Sequence, residues 1–508
     1  MRRIVVVPTR LRYFFLLVLL STLVVVITPA DAQTLLRTLD TPNPQYMANF
    51  GSSVAVGDVN GDGKGDLAVG APFEDVGGSQ DQGQAYVFSG ANGSLLLTLD
   101  TPNPLASGNF GSSVAVGDVN GDGKGDIAVG APWEDVGGRV YVFSGADGSL
   151  LRTLNTPNPR WGGAVFGNCV AVVDVNGDGK KDIAVGSSSE FVGGIPSGRA
   201  YVFSGADGSV LLTLDTPNPQ AYAYFGSSVA AGDVNGDGRP DIAVAAASEN
   251  VGGNIGQGRA YVFSGPSGSL LLTLNIPNPQ AEDYFGLSLA VGDVDGDGNA
   301  DIAVGAPYEY VGVSANEGRA YVFSGASGSL LFTLDSPNPQ AGSQFGVSLA
   351  MGDVIGDGKG DITVGARYEK VNGNTSQGRA YIFSGVDGSV LLTLNTPNPQ
   401  VQAGFGSSLA VGDVTDDGKD DIAVGSPHED VGGIEFQGRA YVFSAPVPTP
   451  TPRPGVGGAV KLPPAAIAAE SGTQADGSGW ATGAYAALIA AVVAMGTGVW
   501  YARRRWLR

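Results

Sequence analysis

Short apolar runs alternate with segments rich in glycine and aspartate along most of this chain, and the pattern recurs about every 60 residues. One period contains the runs FGSSVAVGDV, DLAVGAP, QAYVFSG and SLLLTLDTP, which are rich in β-branched or aromatic residues and bounded by turn formers. The aspartate that ends the first run recurs at Asp58, Asp118, Asp174, Asp233, Asp293, Asp353 and Asp413. The pattern therefore predicts seven units of four short strands each.

Residue size differs between the four runs of each period. The first two runs carry mostly Ala, Val and Gly, as strands crowded near a central axis require, whereas the later two carry Tyr, Phe and Leu. Four-stranded units at this spacing are typical of propeller blades. The sequence thus predicts an all-β protein with a seven-bladed β-propeller over residues 33–446.

The two ends of the repeat region favour a closed ring. Residues 34–44, TLLRTLDTPNP, resemble a fourth strand with no first three before it, and residues 438–446, GRAYVFSAP, resemble a third strand with no fourth after it. We expect the first segment to complete the last blade, because this pairing would remove an exposed sheet edge. A linear solenoid is the alternative, but it would need polar capping repeats.

The loop DVNGDGKGD between the first two strands has the composition of a calcium site. Asp58, Asn60, Asp62 and Asp66 lie at positions 1, 3, 5 and 9, and the carbonyl of Lys64 lies at position 7. Such oxygen ligands suit Ca²⁺, and the glycine at position 6 permits the sharp turn. Position 12 is valine, where an EF-hand has glutamate, so we expect position 9 to bind the ion directly.

The same positions in all seven loops form the predicted ligand set. Its members are Asp58, Asn60, Asp62, Lys64, Asp66, Asp118, Asn120, Asp122, Lys124, Asp126, Asp174, Asn176, Asp178, Lys180, Asp182, Asp233, Asn235, Asp237, Arg239, Asp241, Asp293, Asp295, Asp297, Asn299, Asp301, Asp353, Asp357, Lys359, Asp361, Asp413, Thr415, Asp417, Lys419 and Asp421. Position 3 of the sixth loop is Ile355, which cannot bind an ion, and Thr415 in the seventh is a weaker ligand. We expect up to seven Ca²⁺ ions, with site six the weakest. The alternative is a set of Asx turns without ions.

A Phe-Gly dipeptide precedes each Asp loop, and GAP or a close variant follows it. The dipeptides are Phe50-Gly51, Phe110-Gly111, Phe166-Gly167, Phe225-Gly226, Phe285-Gly286, Phe345-Gly346 and Phe405-Gly406. This arrangement resembles the FG-GAP repeats of the integrin α-subunit head. The resemblance implies a seven-bladed propeller with metal in the loop between the first two strands of a blade. It also implies extracellular adhesion, by analogy of fold.

The two ends of the chain carry apolar runs that indicate export and anchoring. Residues 1–32 resemble a signal peptide, with an uncleaved anchor as the alternative. Residues 447–480 form a Pro/Gly-rich linker, 481–502 a predicted transmembrane helix, and 503–508 a basic tail that the positive-inside rule assigns to the cytoplasm. A buried soluble helix is the alternative for 481–502. The end also resembles a wall-sorting signal, but LPPAA lacks the expected Thr-Gly.

Composition narrows the classes of partner. The net charge of −21 argues against nucleic acid, because phosphate attracts stripes of Lys and Arg that this chain lacks. The single cysteine, Cys169, excludes an intrachain disulfide framework and stands where the first repeat has Ser53. Bound divalent ions would offset much of the negative charge.

The connections from second to third strand and from blade to blade lie opposite the Asp loops and are the predicted ligand face. One glutamate recurs there in every repeat: Glu74, Glu134, Glu190, Glu249, Glu309, Glu369 and Glu429. These residues could receive a ligand, but their identity in every repeat favours a structural role, capping backbone N–H groups. The inter-blade aromatic residues vary more and are the better contact candidates: Tyr46, Trp161, Tyr222, Tyr224 and Tyr284.

Catalysis is the less favoured class of function. His428 is the only histidine, and no Ser-His-Asp or Cys-His arrangement can be assigned around it. We therefore interpret the chain as a calcium-binding module at the cell surface, with its propeller outside, that binds an extracellular protein or glycan. A structural surface-layer protein is the first alternative, and a secreted hydrolase is the second.

Overall fold

The computed structural model describes residues 34–159 and 164–444. The predicted signal peptide, linker, transmembrane helix and basic tail lie outside these residues, as does Trp161. Among the described residues every regular element is a β-strand, and no helix there has the length and apolar character to cross a membrane.

Within residues 34–159 and 164–444, thirty strands form seven four-stranded antiparallel sheets and one small hairpin. In chain order the strands are β1 (Thr34–Leu39), β2 (Ser53–Gly57), β3 (Asp66–Ala71), β4 (Gln84–Phe88), β5 (Leu95–Leu99), β6 (Ser113–Gly117), β7 (Asp126–Ala131), β8 (Arg139–Phe143), β9 (Leu150–Asn155), β10 (Phe166–Val173), β11 (Asp182–Ser187), β12 (Phe191–Val192), β13 (Ile195–Pro196), β14 (Arg199–Phe203), β15 (Val210–Asp215), β16 (Phe225–Gly232), β17 (Asp241–Ala246), β18 (Arg259–Phe263), β19 (Leu270–Leu274), β20 (Leu289–Gly292), β21 (Asp301–Ala306), β22 (Arg319–Phe323), β23 (Leu330–Asp335), β24 (Phe345–Gly352), β25 (Asp361–Ala366), β26 (Arg379–Phe383), β27 (Val390–Leu394), β28 (Ser408–Gly412), β29 (Asp421–Ser426) and β30 (Arg439–Ser444).

Each sheet is one blade of a propeller. Blades one and two are β2–β5 and β6–β9, and blade three is β10, β11, β14 and β15, with the β12–β13 hairpin between its second and third strands. Blades four, five and six are β16–β19, β20–β23 and β24–β27. The predicted all-β, seven-bladed fold is confirmed.

The ring closes as the sequence predicts. Blade seven has the strand order β1-β30-β29-β28, so the first strand of the described chain supplies its outer edge. In this pairing Thr34 lies opposite Ser444 and Leu39 lies opposite Ala440. The innermost strand of blade one, β2, packs between those of blades two and seven, β6 and β28.

The hydrophobic core consists of seven clusters, each shared by two adjacent blades. The phenylalanine of each Phe-Gly pair lies fully inside such a cluster. In blade one the Phe50 ring packs on Tyr86 and Phe88, with ring centroids 6.0 and 5.9 Å apart. The following Gly51 has a φ of 91°, and a Cβ there would lie 2.4 Å from the carbonyl oxygen of Arg439. Only glycine therefore permits this approach between blades.

Candidate functional site

The first aspartate of each Asp loop organises the turn through backbone N–H groups. In blade one Asp58 Oδ1 accepts hydrogen bonds from the N–H of Gly61 at 2.7 Å and of Asp62 at 3.1 Å, and Oδ2 accepts one from Gly63 at 2.9 Å. Gly61 and Gly63 have φ values of 79° and 84°, which glycine adopts without strain. This local sequence thus folds into a tight loop held by its first carboxylate.

Position 5 of the loop is tied to position 7, which was predicted to supply a carbonyl ligand. The backbone N–H of Lys64 donates to Asp62 Oδ1 at 3.0 Å, and the matching bond recurs in the other loops. The Lys64 ammonium donates to the carbonyl oxygen of Thr415 in the loop of blade seven at 2.9 Å. The position 7 residue therefore contacts both its own loop and the neighbouring one.

Position 9 is the most deeply placed carboxylate of the loop. Asp66 is completely buried, and its Oδ2 accepts hydrogen bonds from the N–H of Val59 and Asn60 at 3.0 and 3.1 Å. Its Oδ1 accepts one from Gly90, in the turn after the third strand, at 3.0 Å. Burial raises the pKa of the Asp66 carboxyl, against the effect of the backbone N–H groups, which lower it. Position 9 thus joins two hairpins of the blade, a role that the sequence did not reveal.

The contacts of the side chain at position 3 differ between loops, because the residue itself differs. In blade one the Asn60 side-chain amide donates to Asp62 Oδ2 at 3.0 Å. In blade five the corresponding residue is acidic, and Asp293, Asp295 and Asp297 bring carboxylate oxygens within 4.8 Å of one another. Three carboxylates this close repel one another unless protons or a cation compensate their charge. The donor set of these loops therefore fits a hard divalent cation, whereas the apolar side chain at position 3 in blade six fits it less well.

Neighbouring Asp loops are linked to each other around the ring. The position 8 N–H of one loop donates to the position 1 carbonyl oxygen of the previous loop, as Gly125 does to Asp58 at 2.7 Å. The first and last loops are joined in the same way, by Gly65 and Asp413 at 2.7 Å. Loop four has Pro240 at position 8, which has no N–H to donate. Each loop is thus hydrogen-bonded to the previous one around the ring, except between blades three and four.

On the opposite face three tyrosines line a cavity of about 410 Å³. Tyr224 and Tyr284, both predicted contact residues, lie there with Tyr308, and the Tyr284 and Tyr308 rings are 5.2 Å apart in an edge-to-face arrangement. Tyr222 lies next to this group, with its ring centroid 6.5 Å from that of Tyr224. Tyr46 is exposed and does not line this cavity. The structure therefore brings three of the five predicted contact residues together.

Two of these tyrosines occupy a backbone position that disfavours them. The residue before each Phe-Gly pair has a left-handed conformation, with φ between 50° and 67° in all seven blades. The residues are Asn49, Asn109, Val165, Tyr224, Tyr284, Gln344 and Gly404. Asn and Gly adopt this conformation at little cost, whereas a bulky side chain there costs about 1–2 kcal/mol. The two tyrosines thus stand at a position that asparagine or glycine occupies at lower cost in backbone strain.

Comparison with known proteins agrees with this geometry. The FG-GAP repeat family model matches residues 50–88, 110–143, 166–203, 225–263, 285–323, 345–383 and 405–443, which together are more than half of the chain. The chain belongs to the FG-GAP repeat family. Each matched segment begins at the phenylalanine of a Phe-Gly pair and ends in the third strand of its blade.

The FG-GAP propeller also resembles individual proteins over part of their length. Mouse integrin alpha-IIb is 36% identical over 227 residues, 41% of this chain and 21% of that protein. Human integrin alpha-IIb is 34% identical over 273 residues, 48% of this chain and 25% of that protein. Human phosphatidylinositol-glycan-specific phospholipase D is 29% identical over 394 residues, 66% of this chain and 46% of that protein. The chain thus spans less than half of each of these relatives.

The recurrent glutamates of the FG-GAP blades belong to the interior. All seven are at most 1% exposed, and each accepts a hydrogen bond from the hydroxyl of a buried tyrosine in the third strand, as Glu249 does from Tyr261 at 2.7 Å. In six blades an arginine pairs with the same carboxylate, as Arg259 does at 2.8 Å. The expected structural role is therefore correct, but the partners are side chains rather than the backbone N–H groups we expected. The glutamates are too buried to receive a ligand.

Cys169 performs the packing role of the serine that it replaces. Ser53 Oγ donates to the carbonyl oxygen of Gly111 in the next blade at 2.8 Å, and Cys169 Sγ donates to that of Gly226 at 3.3 Å. Similar serine contacts recur in other blades near the central axis. The side chain at this position thus connects adjacent blades.

Proposed function

We propose that this FG-GAP propeller is an adhesion module that binds an extracellular protein or glycan through the tyrosine cavity lined by Tyr224, Tyr284 and Tyr308. The observation that carries the proposal is that Tyr224 and Tyr284 are held at left-handed positions, with φ values of 55° and 50°. Bulky residues persist in such conformations chiefly where they serve a purpose other than folding. Tyrosine combines a large apolar ring with a polar hydroxyl, which suits it to contacts at interfaces.

We further propose that the Asp loops bind divalent cations, with Ca²⁺ the best match to their oxygen ligands. Loops one to five would hold the ion through the side chains at positions 1, 3, 5 and 9 and the carbonyl oxygen at position 7. A bound cation would neutralise the clustered carboxylates and so stabilise the rim that the loops form. The similarity to integrin alpha subunits supports this proposal. As in other extracellular modules, the dissociation constant would be roughly 10⁻⁴ to 10⁻³ M.

We also propose that the protein is exported and anchored at the cell surface with its propeller outside. The support is the apolar run at residues 13–27, which follows several arginines, and the uncharged run at residues 481–502, which precedes a basic tail. A ligand on the tyrosine face would then be extracellular.

The role of the tyrosine cavity can be tested by replacing Tyr224 and Tyr284 with asparagine, the residue that two other blades carry at this position. A glycan array and a cell-adhesion assay with the purified full chain measure binding, and thermal unfolding measures stability. We expect the double variant to lose binding while each substitution raises the free energy of unfolding by roughly 0.5–1 kcal/mol, because backbone strain is relieved.

The control is Tyr310→Ala, which removes an exposed tyrosine of the same face that does not line the cavity. This variant should bind as the parent protein does. If the parent protein binds nothing in either assay, or if the double variant binds as well as the parent, the adhesion proposal is wrong. The structural surface-layer role would then be the better interpretation.

A further inference from the structure

A second and larger cavity, of about 560 Å³, lies at blades six and seven. Its aromatic lining consists of Tyr368, His428 and Phe436, and its polar lining includes Asn49, Gln402 and Thr375. Tyr368 and His428 hold the same repeat position as Tyr308, so this cavity opens on the same face as the tyrosine cavity but at different blades. Its size and its mixture of rings and hydrogen-bonding groups are typical of a small-molecule site.

Phe436 is placed in this cavity at a cost in backbone strain. Its φ is 53°, and its carbonyl oxygen accepts a hydrogen bond from the N–H of Asn49 at 3.1 Å. The residues that make the same backbone contact in four other blades are Asp81, Gly256, Asn316 and Ser376. All four are small or polar and suit a left-handed turn better than a phenylalanine does. The Phe436 ring packs edge-to-face against His428, with centroids 5.7 Å apart, so the strained residue builds the cavity wall.

A cationic side chain lies beside this cavity, in a protein that is acidic as a whole. The net charge of the chain is −21, yet no aspartate or glutamate is among the residues that line the cavity. Next to the lining residue Tyr368 stands Arg367, at a repeat position where four other blades have proline. Its guanidinium lies 4.7 Å from the centre of the Tyr368 ring, and its Nε donates to Gln344 Oε1 at 2.9 Å. Among the described residues its two terminal nitrogens have no hydrogen-bond acceptor, so they can bind a ligand.

His428 adds a neutral hydrogen-bonding group to this wall. Its burial, together with the positive charge of Arg367, lowers the pKa of the imidazole below its usual value. At neutral pH the ring therefore offers one donor and one acceptor rather than a second positive charge.

We propose that this cavity binds one pyranose ring that carries a carboxylate, such as a uronic acid residue of an acidic glycan. The aromatic rings that line the cavity suit the C–H groups of a sugar ring, because a π face carries partial negative charge. The amides of Asn49 and Gln402 and the hydroxyl of Thr375 suit its hydroxyl groups. The guanidinium of Arg367 suits the carboxylate, which it can bind through two nitrogens. This site is separate from the tyrosine cavity and does not depend on it.

The test compares two small probes that differ only at C6, methyl β-D-glucuronide with a carboxylate there and methyl β-D-glucoside with a hydroxymethyl group. Their binding to the purified full chain is measured by saturation-transfer NMR and by calorimetric titration. We expect the glucuronide to bind at least tenfold more tightly than the glucoside. Arg367→Pro, which introduces the residue of four other blades, should remove this preference.

A second variant keeps the test independent of folding. Phe436→Ser introduces the residue of blade six at the equivalent position, so it should leave the melting temperature equal or higher while it weakens glucuronide binding at least tenfold. Trp133→Ser is the matched control, because Trp133 is exposed and holds the repeat position of His428 in a blade that does not line the cavity. It should not alter binding.

Three results would overturn this assignment. The first is equal binding of the two probes or no binding of either, and the second is unchanged glucuronide binding by Phe436→Ser. The third is that N-acetylglycine binds as tightly as the glucuronide, because recognition of the carboxylate alone would not require a sugar ring.

Discussion

Asp283 breaks the repeat pattern by placing a carboxyl group in the interior. It is completely buried, its Oδ2 accepts the N–H of Gln280 at 2.6 Å, and its Oδ1 has no hydrogen-bond partner. The equivalent residues of the other blades are Ala48, Gly108, Ala164, Ala223, Ser343 and Ala403. Burial raises the pKa of the Asp283 carboxyl to about 7, and the negative charge of Glu309 acts in the same direction. An ionised carboxylate at this place therefore opposes folding.

Because its pKa is raised, the contribution of Asp283 to the free energy of unfolding changes with pH in a known direction. Between the ordinary value near 3.8 and about 7, the folded protein holds this proton more tightly than the unfolded chain does, so the contribution of Asp283 to stability falls as pH rises through this window. We predict that Asp283→Ala raises the free energy of unfolding at pH 8 by about 1–3 kcal/mol. The gain should shrink as the pH is lowered from 7 towards 4, as chemical denaturation at several pH values would show.

The control for this prediction is Glu282→Gln, which removes the charge of the exposed neighbour. It should change stability little at any pH, because an exposed charge contributes little to stability. Equal stability of Asp283→Ala and the parent protein at pH 8 would contradict the assignment of a buried, poorly solvated charge.

At the scale of the element, the Asp loops share one turn and link each blade to at least one neighbour. Among the positions whose side chains were predicted to bind an ion, only position 3 differs in chemical type, from asparagine and aspartate in the first five loops to Ile355 and Thr415 in the last two. The first aspartate of loop six nevertheless holds the turn as in the other loops, since Asp353 accepts the N–H of Gly356 and Gly358 at 2.8 Å. Loop six therefore shares the turn of the other loops but lacks an oxygen-bearing side chain at position 3.

We predict that Ile355→Asn completes the cation site of loop six. Titration calorimetry with CaCl₂ should detect one additional site, or a weak site made roughly tenfold tighter, because an oxygen ligand replaces an apolar side chain. Ile355→Val is the control and should titrate as the parent protein does. If the asparagine and valine variants titrate alike, position 3 does not contribute a ligand in this loop. Excess EDTA should lower the melting temperature of the asparagine variant by more than that of the valine control.

The sequence predicted elements well because each blade repeats a local pattern, and repetition turns weak strand signals into a strong one. Four strands per blade, the Asp turn and the pairing of β1 with β30 all follow from residues that are close in sequence or from counting strands. The links between loops could not be predicted, because Gly125 and Asp58 meet only through the packing of two blades. For the same reason the tyrosine partners of the glutamates were missed. The left-handed position of Tyr224 and Tyr284 was detectable, since other repeats have Asn or Gly there.

At the scale of the whole molecule, the ring depends on one strand that is far in sequence from its partners. Leu39 of β1 is 2% exposed and packs in the cluster that joins blades seven and one, which includes Val442, Phe50 and Tyr86. Arg439 of β30 forms an ion pair with Asp40 just after β1, as arginines of other blades do with the end of their own outer strand. The pairing that closes the ring thus has the same contacts as in an ordinary blade, although β1 is far in sequence from β30.

Because β1 makes the contacts of an ordinary outer strand, truncating its core residue should cost as much unfolding free energy as the same change in another blade. Leu99 holds the position of Leu39 in blade one, is also 2% exposed, and belongs to a strand that is joined to its partner by a tight turn. If the ring is closed in solution, Leu39→Ala and Leu99→Ala should each lower the free energy of unfolding by about 2–5 kcal/mol, because both leave a cavity in a packed core. Chemical denaturation measures both values. A frayed first strand would instead make Leu39→Ala nearly neutral while Leu99→Ala kept its full cost, since a side chain already exposed to water loses no packing when it is shortened.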